Sequence, residues 1–446
     1  MRGTFGRAFQ QEEEQVMLRV SRRNFIAGGA AFLSLSTTGA GGGTSFAADT
    51  RLRLLWWGSQ ARADRTNKVS QLFQTKNAGT TVNGEFLGWT DYWPRLATQV
   101  AGRNAPDIIQ MDYRYIVEYA QRGALAPLES YMPAKLQIDD FDKTQIDGGS
   151  VNGHFYGVSL GANAATTVLN VSAFEQAGVP LPTQATTWEE FARMGAEITK
   201  AGKRKGMYGI ADGSVVEPLL ENWLRQRGKA LYTAEGKIAF DHNDASEWFE
   251  MWSKFRQAGA CVPPDVQALD KNDIETNTVS LARSAAAFAH SNQFVGYQAI
   301  NKDKLGLTNH PRIAADSKGG HYRKPSMFFS VSAQSKAIDQ AVAYINFFIK
   351  DPEAALVLGV ERGIPESAAT REVIASKLDA QGKVALDYVT GLGDLAGALP
   401  PPPPAGAGEA ELALRNVAEQ VGFGQLSAAD GGKLLAEEIS RIVSRG

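Results

Sequence analysis

Three apolar segments, separated by two segments with helical periodicity, set the fold class of this sequence. The apolar segments are 52–57, 81–86 and 106–112. The first segment between them places Val69 and Phe73 on one helical face. Strands that alternate with helices in this way form parallel sheets through right-handed crossovers. The sequence therefore predicts an α/β fold that begins with a β-α-β-α-β unit.

A second α/β block follows, and it carries its own helix signals. Thr187 and Glu190 have the spacing of a capping box, which marks the start of a helix. Downstream, Trp248, Trp252 and Phe255 recur at helical spacing, which is typical of a buried helix face rather than a ligand site. A chain of 446 residues is long enough for two domains beyond a leader. We therefore expect two α/β domains.

Residues 1–47 predict an export signal. Adjacent Arg22 and Arg23 precede a modestly apolar stretch at 25–35, which is well short of the roughly 18 apolar residues of a membrane helix. Small residues then lead to a leader cleavage site near Ala47. The paired arginines resemble the twin-arginine signal, which exports folded proteins. We therefore predict a periplasmic protein; a short anchor and a basic surface helix are the alternatives.

The composition argues against several classes of protein. The chain holds 46 Lys and Arg against 48 Asp and Glu, so it lacks the positive charge of a nucleic-acid binder or of a polybasic membrane surface. The sole cysteine, Cys261, permits no internal disulfide, and no cysteine stands near Ala47 to carry a lipid. We therefore expect a protein without a lipid anchor or nucleic-acid partners. Met1 and Met17 are both acceptable starts.

The motifs of metal, cofactor and nucleophilic enzymes are missing from the sequence. The five histidines do not stand at metal-ligand spacing, and one cysteine does not make a zinc or iron–sulfur site. There is no P-loop, no nucleophile elbow and no GxGxxG after the first strand. We therefore predict no catalytic residue, no metal and no cofactor. A hydrolase or lyase stays open, because paired carboxylates need no motif, and the export signal would also suit an oxidoreductase.

Aromatic and polar residues stand together at the ends of the first three predicted strands. Trp57 ends the first strand, Trp89 and Trp93 follow the second, and Asp112 ends the third. Ligands of open parallel sheets bind outside these carboxyl ends. Aromatic rings pack on the apolar faces of a sugar, and carboxylates and amides bond its hydroxyls. The sequence therefore predicts a carbohydrate cleft at this edge of the sheet.

Two adjacent tryptophans end the first strand, and neighbouring strand residues point to opposite faces. We expect Trp56 to pack in the core and Trp57 to face the cleft. For Trp89 and Trp93, sealing the helix against the sheet is an equally good interpretation. Asp112 has the alternative role of capping the helix that follows.

Several segments resemble the family 1 extracellular solute-binding proteins, the maltose-binding-protein-like proteins of carbohydrate ABC importers. They occur in order between 52 and 367 and read LRLLWWG, PDIIQMD, YAQRGALAPLESYM, NGHFYGVSLGANAATTVLN, FEQAGVPLPTQATTWEEF and ERGIPES. Within the family, WWGSQARADRTNKV, EFLGWTDYWPRLATQ and the proline run at 400–404 are most similar to binders of pectin-type oligosaccharides, such as rhamnogalacturonan fragments. Many relatives are lipoproteins, and the lack of a lipid-bearing cysteine here implies a Gram-negative periplasm.

The resemblance implies a two-lobed periplasmic-binding-protein fold of type II, in which each lobe is a mostly parallel sheet flanked by helices. The chain would cross between the lobes near 157–163 and return near 305–312, with the ligand cleft at this hinge. The resulting bounds are 49–161 plus 311–350 for lobe one and 162–310 plus 351–446 for lobe two.

The resemblance also implies ligand-binding residues and a role in transport. The matching positions are Trp57, Gly58, Ser59, Gln60, Trp89, Trp93, Asp112, Gly161, Asn163, Trp223, Ser291, Asn292 and Arg362. Proteins of this kind close over a sugar or oligosaccharide and deliver it to the permease subunits of an ABC importer at the inner membrane. We expect this one to act as a monomer that breaks no bond in its ligand.

Three of these positions have a structural alternative. Asn163 would then satisfy the hinge backbone, Trp223 would belong to the core, and Arg362 would pair with Glu361. As a ligand contact, Arg362 would suit a uronate-containing sugar, because a guanidinium pairs bidentately with a carboxylate. The rival functions are a periplasmic polysaccharide-degrading enzyme and a binder of the same fold for a non-sugar solute.

Overall fold

Strands and helices alternate along the chain, as the sequence predicts. The computed structural model describes residues 50–445, apart from the side chain of Asp394, so the predicted export signal at 1–47 lies outside the described residues. The strands are β1 (Thr50–Trp57), β2 (Thr80–Leu87), β3 (Ile108–Met111), β4 (Ser150–Val151), β5 (His154–Phe155), β6 (Val158–Ser159), β7 (Ala162–Asn163), β8 (Ala165–Asn170), β9 (Tyr208–Ile210), β10 (Ser284–His290), β11 (Leu305–Thr308), β12 (His321–Tyr322), β13 (Lys324–Pro325), β14 (Phe328–Val331) and β15 (Ala396–Gly397). The helices are α1 (Gln60–Lys76), α2 (Trp89–Ala101), α3 (Ile116–Gln121), α4 (Lys143–Gly148), α5 (Val171–Ala177), α6 (Trp188–Ala201), α7 (Glu217–Gln226), α8 (His242–Gln257), α9 (Pro264–Gln267), α10 (Phe294–Ile300), α11 (Ile338–Lys350), α12 (Pro352–Leu358), α13 (Ala368–Ala375), α14 (Ala380–Gly391), α15 (Ala407–Gly422) and α16 (Ala428–Val443). None of these helices is both long enough and apolar enough to cross a membrane.

The first sheet contains five strands in the order β2-β1-β3-β14-β6. Strand β1 runs parallel to both β2 and β3, which confirms the predicted β-α-β-α-β unit. Trp57 at the end of β1 pairs in register with Leu87 at the end of β2. Ser59 then caps α1, because its side chain accepts a hydrogen bond from the backbone N–H of Arg62. The carboxyl ends of β1, β2 and β3 therefore lie at one edge of the sheet.

The second sheet contains four strands in the order β11-β8-β10-β9. Among its neighbouring strands, only β9 and β10 pair in parallel, and β8 runs antiparallel to both β10 and β11. In the first sheet, β14 is likewise antiparallel to β3 and β6. One strand in each sheet, β14 in the first and β8 in the second, therefore runs against all the others, and the sheets are mostly parallel as predicted. The antiparallel strands adjoin the segments by which the chain passes between the sheets, and a right-handed β-α-β crossover does not set their direction.

The chain passes between the two sheets twice, through paired segments. It leaves the first sheet after β6 and reaches β8 through β7, and it returns from β11 to β14 through β13. Strands β7 and β13 pair antiparallel, with Asn163 opposite Lys324. The return comes later than the predicted 305–312, because Leu305–Thr308 is still a strand of the second sheet.

Each sheet has its own apolar core. Trp248 and Trp252 on α8 are fully buried in the second core, as their helical spacing predicts. Helices α15 and α16 also pack on α8. Helix α12, by contrast, packs on α1 and α11 and contributes Ala354 and Leu358 to the first core, although the prediction placed 351–446 in lobe two. The other residue bounds of the two lobes stay a prediction.

Helix α6 begins at the predicted capping box. The side chain of Thr187 accepts a hydrogen bond from the backbone N–H of Glu190 at 3.3 Å. In return, the Glu190 carboxylate accepts from the backbone N–H of Thr187 at 2.9 Å. Two N–H groups that would lack partners at the helix start are thereby satisfied, which confirms this prediction.

Candidate functional site

A cleft of about 180 Å³ lies between the two sheets. Trp57, Trp89 and Asp112 line one side, where β1, β2 and β3 reach their carboxyl ends. Asp212 and His290 line the other side, at the ends of the parallel strands β9 and β10. The carboxyl ends of the parallel strands in both sheets therefore meet at one space. This is the position at which α/β proteins bind ligands.

Aromatic side chains form the wall of the cleft on the first sheet. The rings of Trp57 and Trp89 meet edge to face, with centroids 5.2 Å apart. Trp93 lies behind them, 5.5 Å from Trp57, and stacks on Tyr115 at 3.5 Å. Trp56 points to the opposite face of the strand and is 1% exposed. The alternation predicted for the tryptophan pair is therefore present, with Trp57 at the cleft.

Seven of the thirteen predicted ligand residues line the cleft, and six do not. Those in the lining are Trp57, Gly58, Ser59, Trp89, Asp112, Asn163 and Asn292. Those outside it are Gln60, Trp93, Gly161, Trp223, Ser291 and Arg362. Trp223 is 4% exposed and contacts Trp248 in the second core, which is the alternative role considered for it. The side chain of Gln60 is exposed and donates a hydrogen bond to Asp64 on the same helix.

The first crossing carries two of the predicted residues, Gly161 and Asn163, and two more, Ser291 and Asn292, lie against it. Gly161 has a φ of 147°, and a β-carbon there would clash with the backbone of Gly363, so only glycine suits this position. The Asn163 side chain donates from Nδ2 to Asn292 Oδ1 at 2.6 Å, and its Oδ1 has no hydrogen-bond partner within the described protein. Ser291 Oγ accepts from a backbone N–H at 3.3 Å. Asn163 and Asn292 are thus the members of this group at the cleft.

Arg362 lies in the first core rather than at the cleft. It is 2% exposed, and its guanidinium donates to Gln110 Oε1 and, at 2.8 Å, to Thr66 Oγ1. The guanidinium carbon also lies over the rings of Phe329 and Phe348, at 5.4 and 5.3 Å from their centroids. Burial lowers the pKa of Arg362 to about 9. The prediction of a ligand contact misplaces this side chain, which has no position from which to pair with a uronate.

The alternative of an Arg362–Glu361 ion pair is also wrong, because Glu361 pairs with Arg62. The Arg62 Nε to Glu361 Oε1 distance is 2.7 Å, and both side chains are buried. Arg62 Nη1 and Gln110 Nε2 each donate to the backbone oxygen of Trp57, both at 3.1 Å. Since Arg362 binds Gln110, the two arginines hold the end of β1 from behind the aromatic wall.

A charged cluster that the sequence analysis missed spans the cleft. Arg114 follows β3, and its guanidinium donates to Glu217, the first residue of α7. Arg114 Nη1 also donates to Glu411 Oε2 on α15 at 2.9 Å. These partners lie 103 and 297 residues away along the chain, so no local pattern joins them. The only sequence signal was the position of Arg114 beside a strand end.

Asp112 turns the chain at the end of β3 and faces the cleft. Its Oδ1 accepts from the backbone N–H of Arg114 at 2.9 Å, and its Oδ2 lies 3.9 Å from Lys324 Nζ. Helix α3 has Tyr115 at its N-cap position without a side-chain cap. Asp112 is therefore not the N-cap of α3, and its second carboxylate oxygen is held only by a distant ammonium.

Glu221 and His290 belong to the lining, and both have strongly shifted pKa values. Burial, with the nearby charge of Glu217, raises the pKa of Glu221 to about 7. Glu221 accepts a hydrogen bond from the Tyr322 hydroxyl. Burial lowers the pKa of His290 well below its ordinary value, and the charges of Lys324 and Arg114 lower it further. His290 is therefore neutral at pH 7 and adds no positive charge to the cleft.

The proline run at 400–404 lies along the cleft. Pro400, Pro401 and Pro403 belong to the lining, and the Tyr113 hydroxyl donates to the backbone oxygen of Pro400 at 2.9 Å. The run joins β15 to α15, which carries Glu411. The proline run therefore brings α15, with Glu411, to the site.

The family of the chain is shown by comparison with known proteins. A family model described as bacterial extracellular solute-binding protein matches residues 68–372, which is well over half of the chain. The chain belongs to this family. Proteins of this extracellular family act outside the cytoplasm, which agrees with the predicted export.

Solved structures show that this solute-binding protein has the two-lobed fold of its family. An oligogalacturonide-binding protein from Yersinia enterocolitica, in complex with saturated digalacturonic acid, has a TM-score of 0.79 at 21% identity, covering 89% of this chain and 99% of that one. A family 1 extracellular solute-binding protein from Alicyclobacillus acidocaldarius has a TM-score of 0.62 at 28% identity, with the same coverage. At such identities the likeness establishes the fold, and the ligand has to be argued from the cleft.

Curated relatives match over a shorter stretch. A putative binding protein from Brucella abortus is 26% identical over 143 residues, which is 32% of this chain and 34% of that protein. A lactose-binding protein from Rhizobium radiobacter is 23% identical over 199 residues, which is 43% of this chain and 45% of that protein. The chain therefore spans about a third to a half of the length of these relatives.

The position of Arg362 gives a testable prediction about stability. Arg362→Ala should lower the free energy of unfolding by about 2–4 kcal/mol, because it removes two buried hydrogen bonds and leaves a cavity beside Phe329 and Phe348. Denaturant unfolding of the mature protein measures this change. Arg51→Ala is the matched control, since Arg51 is exposed on β1. An Arg362→Ala protein as stable as this control would contradict a core role for Arg362.

Proposed function

We propose that this solute-binding protein captures a sugar or oligosaccharide in the periplasm and delivers it to the permease subunits of an ABC importer. The observation that carries the proposal is the aromatic wall of Trp57 and Trp89 facing the carboxylates and amides of the same cleft. A sugar ring needs both, because its C–H faces pack on aromatic rings and its hydroxyls need donors and acceptors. Relatives named as lactose-binding and mannitol-binding proteins support a polyol ligand.

Lobe closure is the mechanism that follows from this proposal. In the structure, Thr90 Oγ1 donates to the backbone oxygen of Lys271 at 2.6 Å across the mouth of the cleft. Arg114 and its two glutamates join the walls more deeply. An open form would separate these pairs, admit the sugar, and re-form them around it by bending at β7 and β13. The closed form would then dock on the permease, with no bond in the ligand broken.

A saccharide screen tests the proposal. Mature protein is melted with a panel of mono- and oligosaccharides, and a true ligand at 100 times its Kd should raise stability by about 2.7 kcal/mol. The same mixtures are analysed for products. Intact saccharide with a raised melting temperature supports a capture protein. Shortened saccharide would support the rival degrading enzyme, and stabilisation only by a non-sugar solute would support the other rival.

Closure of the two lobes over the ligand is tested by X-ray scattering. The radius of gyration from X-ray scattering should fall when the stabilising saccharide is added at saturation, because the lobes close over it. A saccharide from the panel that does not raise the melting temperature is the control. An unchanged radius at saturation would argue against hinge closure.

The aromatic wall gives a prediction for affinity. Trp89→Ala should weaken binding by about tenfold, because it removes a half-buried ring that lines the cleft. Calorimetry with the stabilising saccharide measures the loss. Phe86→Ala is a control from the same sheet, since Phe86 lies outside the lining and stacks on Trp56 at 6.0 Å. Equal affinities for the two variants would contradict a sugar contact at Trp89.

A further inference from the structure

The lining of the cleft is rich in acids. Eight Asp and Glu residues belong to it, against four Lys and Arg residues. Two of those four cations are paired with carboxylates outside the lining: Arg62 with Glu361 at 2.7 Å, and Arg415 with Glu419 at 3.2 Å. Of the acids, Asp212 is paired in the same way, with Arg256 at 2.5 Å. The remaining acids therefore outnumber the remaining cations.

The imbalance is greatest around Arg114. This part of the cleft holds four carboxylates, which belong to Asp112, Glu217, Glu221 and Glu411. Its cations are Arg114, which binds Glu217 and Glu411, and Lys324, which is 3.9 Å from Asp112. Neither cation lies within salt-bridge distance of Glu221. Burial and the nearby charge of Glu217 raise the pKa of Glu221, and the more distant charges of Arg225 and Lys324 only partly offset them.

A second and independent feature points to a ligand that donates hydrogen bonds. Asn163 is 2% exposed and lines the cleft, yet its Oδ1 accepts no hydrogen bond within the described protein. A buried carbonyl oxygen without a partner costs about 1–3 kcal/mol, so such groups are normally satisfied. A donor from the ligand would satisfy this one.

We propose that the ligand is a saccharide that carries a protonated amine, and that this amine binds beside the carboxylates of Glu217 and Glu221. This inference rests on the proposed function and specifies its ligand class. An ammonium group supplies the positive partner that Glu221 lacks and adds to the one cation that Glu217 shares with Glu411, and the ring hydroxyls supply donors for acceptors such as Asn163 Oδ1. The half-buried Tyr322 donates its hydroxyl to Glu221 and so holds this carboxylate at the cleft.

A uronate fits this cleft poorly. Its carboxylate would enter a space whose acids already outnumber its cations, and like charges at short range repel. Arg114 is shared between Glu217 and Glu411, and Lys324 already faces the carboxylate of Asp112 at 3.9 Å. The side chain that suggested a uronate, Arg362, is in the core. The structural likeness to an oligogalacturonide-binding protein therefore concerns the fold.

The test compares three forms of the same sugar. Glucosamine, galactosamine and mannosamine are each measured against their N-acetylated forms and against the amine-free uronic acids of the parent hexoses. Thermal shift and calorimetry at pH 7 give the affinities. Chitosan oligosaccharides and their N-acetylated forms of equal length extend the comparison. In at least one series, the free amine should bind about tenfold or more tightly than the N-acetylated form, because a charge-assisted hydrogen bond is lost on acetylation. The uronic acid should bind most weakly.

Two variants test whether the preference for the free amine depends on the carboxylate of Glu221. Glu221→Gln keeps the shape and the contact with Tyr322 but removes the charge, so it should abolish the preference for the amine over its N-acetylated form. Glu189→Gln is the matched control, because Glu189 is an exposed acid outside the lining. Melting temperatures without sugar establish that both variants are folded.

The outcomes separate the two proposals. Tighter binding of a uronic acid, or equal binding of amine and N-acetylated forms in every series, would overturn the amino-sugar inference while sugar capture stands. A preference for the amine that persists in Glu221→Gln would also contradict the assignment of Glu221 as a residue that binds the amine. Binding of no saccharide in the whole panel would overturn the proposed function itself.

Discussion

A single guanidinium joins the two walls of the cleft. Arg114 lies at the end of β3, whereas Glu217 and Glu411 belong to α7 and α15 on the opposite side. Removing an ion from water costs several kcal/mol, and a buried cation recovers that cost only while its partners are in place. Separating the walls would rehydrate three ions together. The two walls are therefore joined by an ion cluster whose cation is satisfied only while Glu217 and Glu411 face it.

The ion cluster of Arg114, Glu217 and Glu411 also determines much of the charge in the cleft where a ligand would bind. One cation shared by two carboxylates leaves a negative charge, Asp112 adds to it, and Glu221, with a pKa of about 7, adds part of a charge at that pH. The neutral state of His290 gives no compensation. Aromatic rings alone would accept many sugars, because stacking depends on area rather than on charge. Selectivity among sugars must then come from the polar half of the cleft.

The features that the sequence predicts correctly are local ones. The parallel unit of β1, β2 and β3 follows from the alternation of strand and helix patterns, and the opposite directions of Trp56 and Trp57 follow from the period of a strand. The edge at which the cleft opens follows from the direction of these strands. Each of these inferences needs only a few consecutive residues and one geometric rule.

The features that the sequence does not predict are joined only by the tertiary fold. Glu217 and Glu411 reach Arg114 from 103 and 297 residues away, and acids are too common for their position to stand out. Strands β8 and β14, at the crossings, have no helix to fix their direction, and each runs against the other strands of its sheet. Arg362 stands in a segment that resembles a ligand-binding one, but its residue type alone does not reveal which way the side chain points.

The buried position of Arg362 nevertheless has a consequence for the cleft. Arg362 binds Gln110, and both Gln110 and Arg62 donate to the backbone oxygen of Trp57. Glu361 in turn holds Arg62, so a loop far along the chain fixes the end of β1. A contact surface held by hydrogen bonds from behind loses little conformational freedom when a ligand arrives. The two arginines thus act on binding as positioning residues, by keeping the aromatic wall in place before a sugar packs against it.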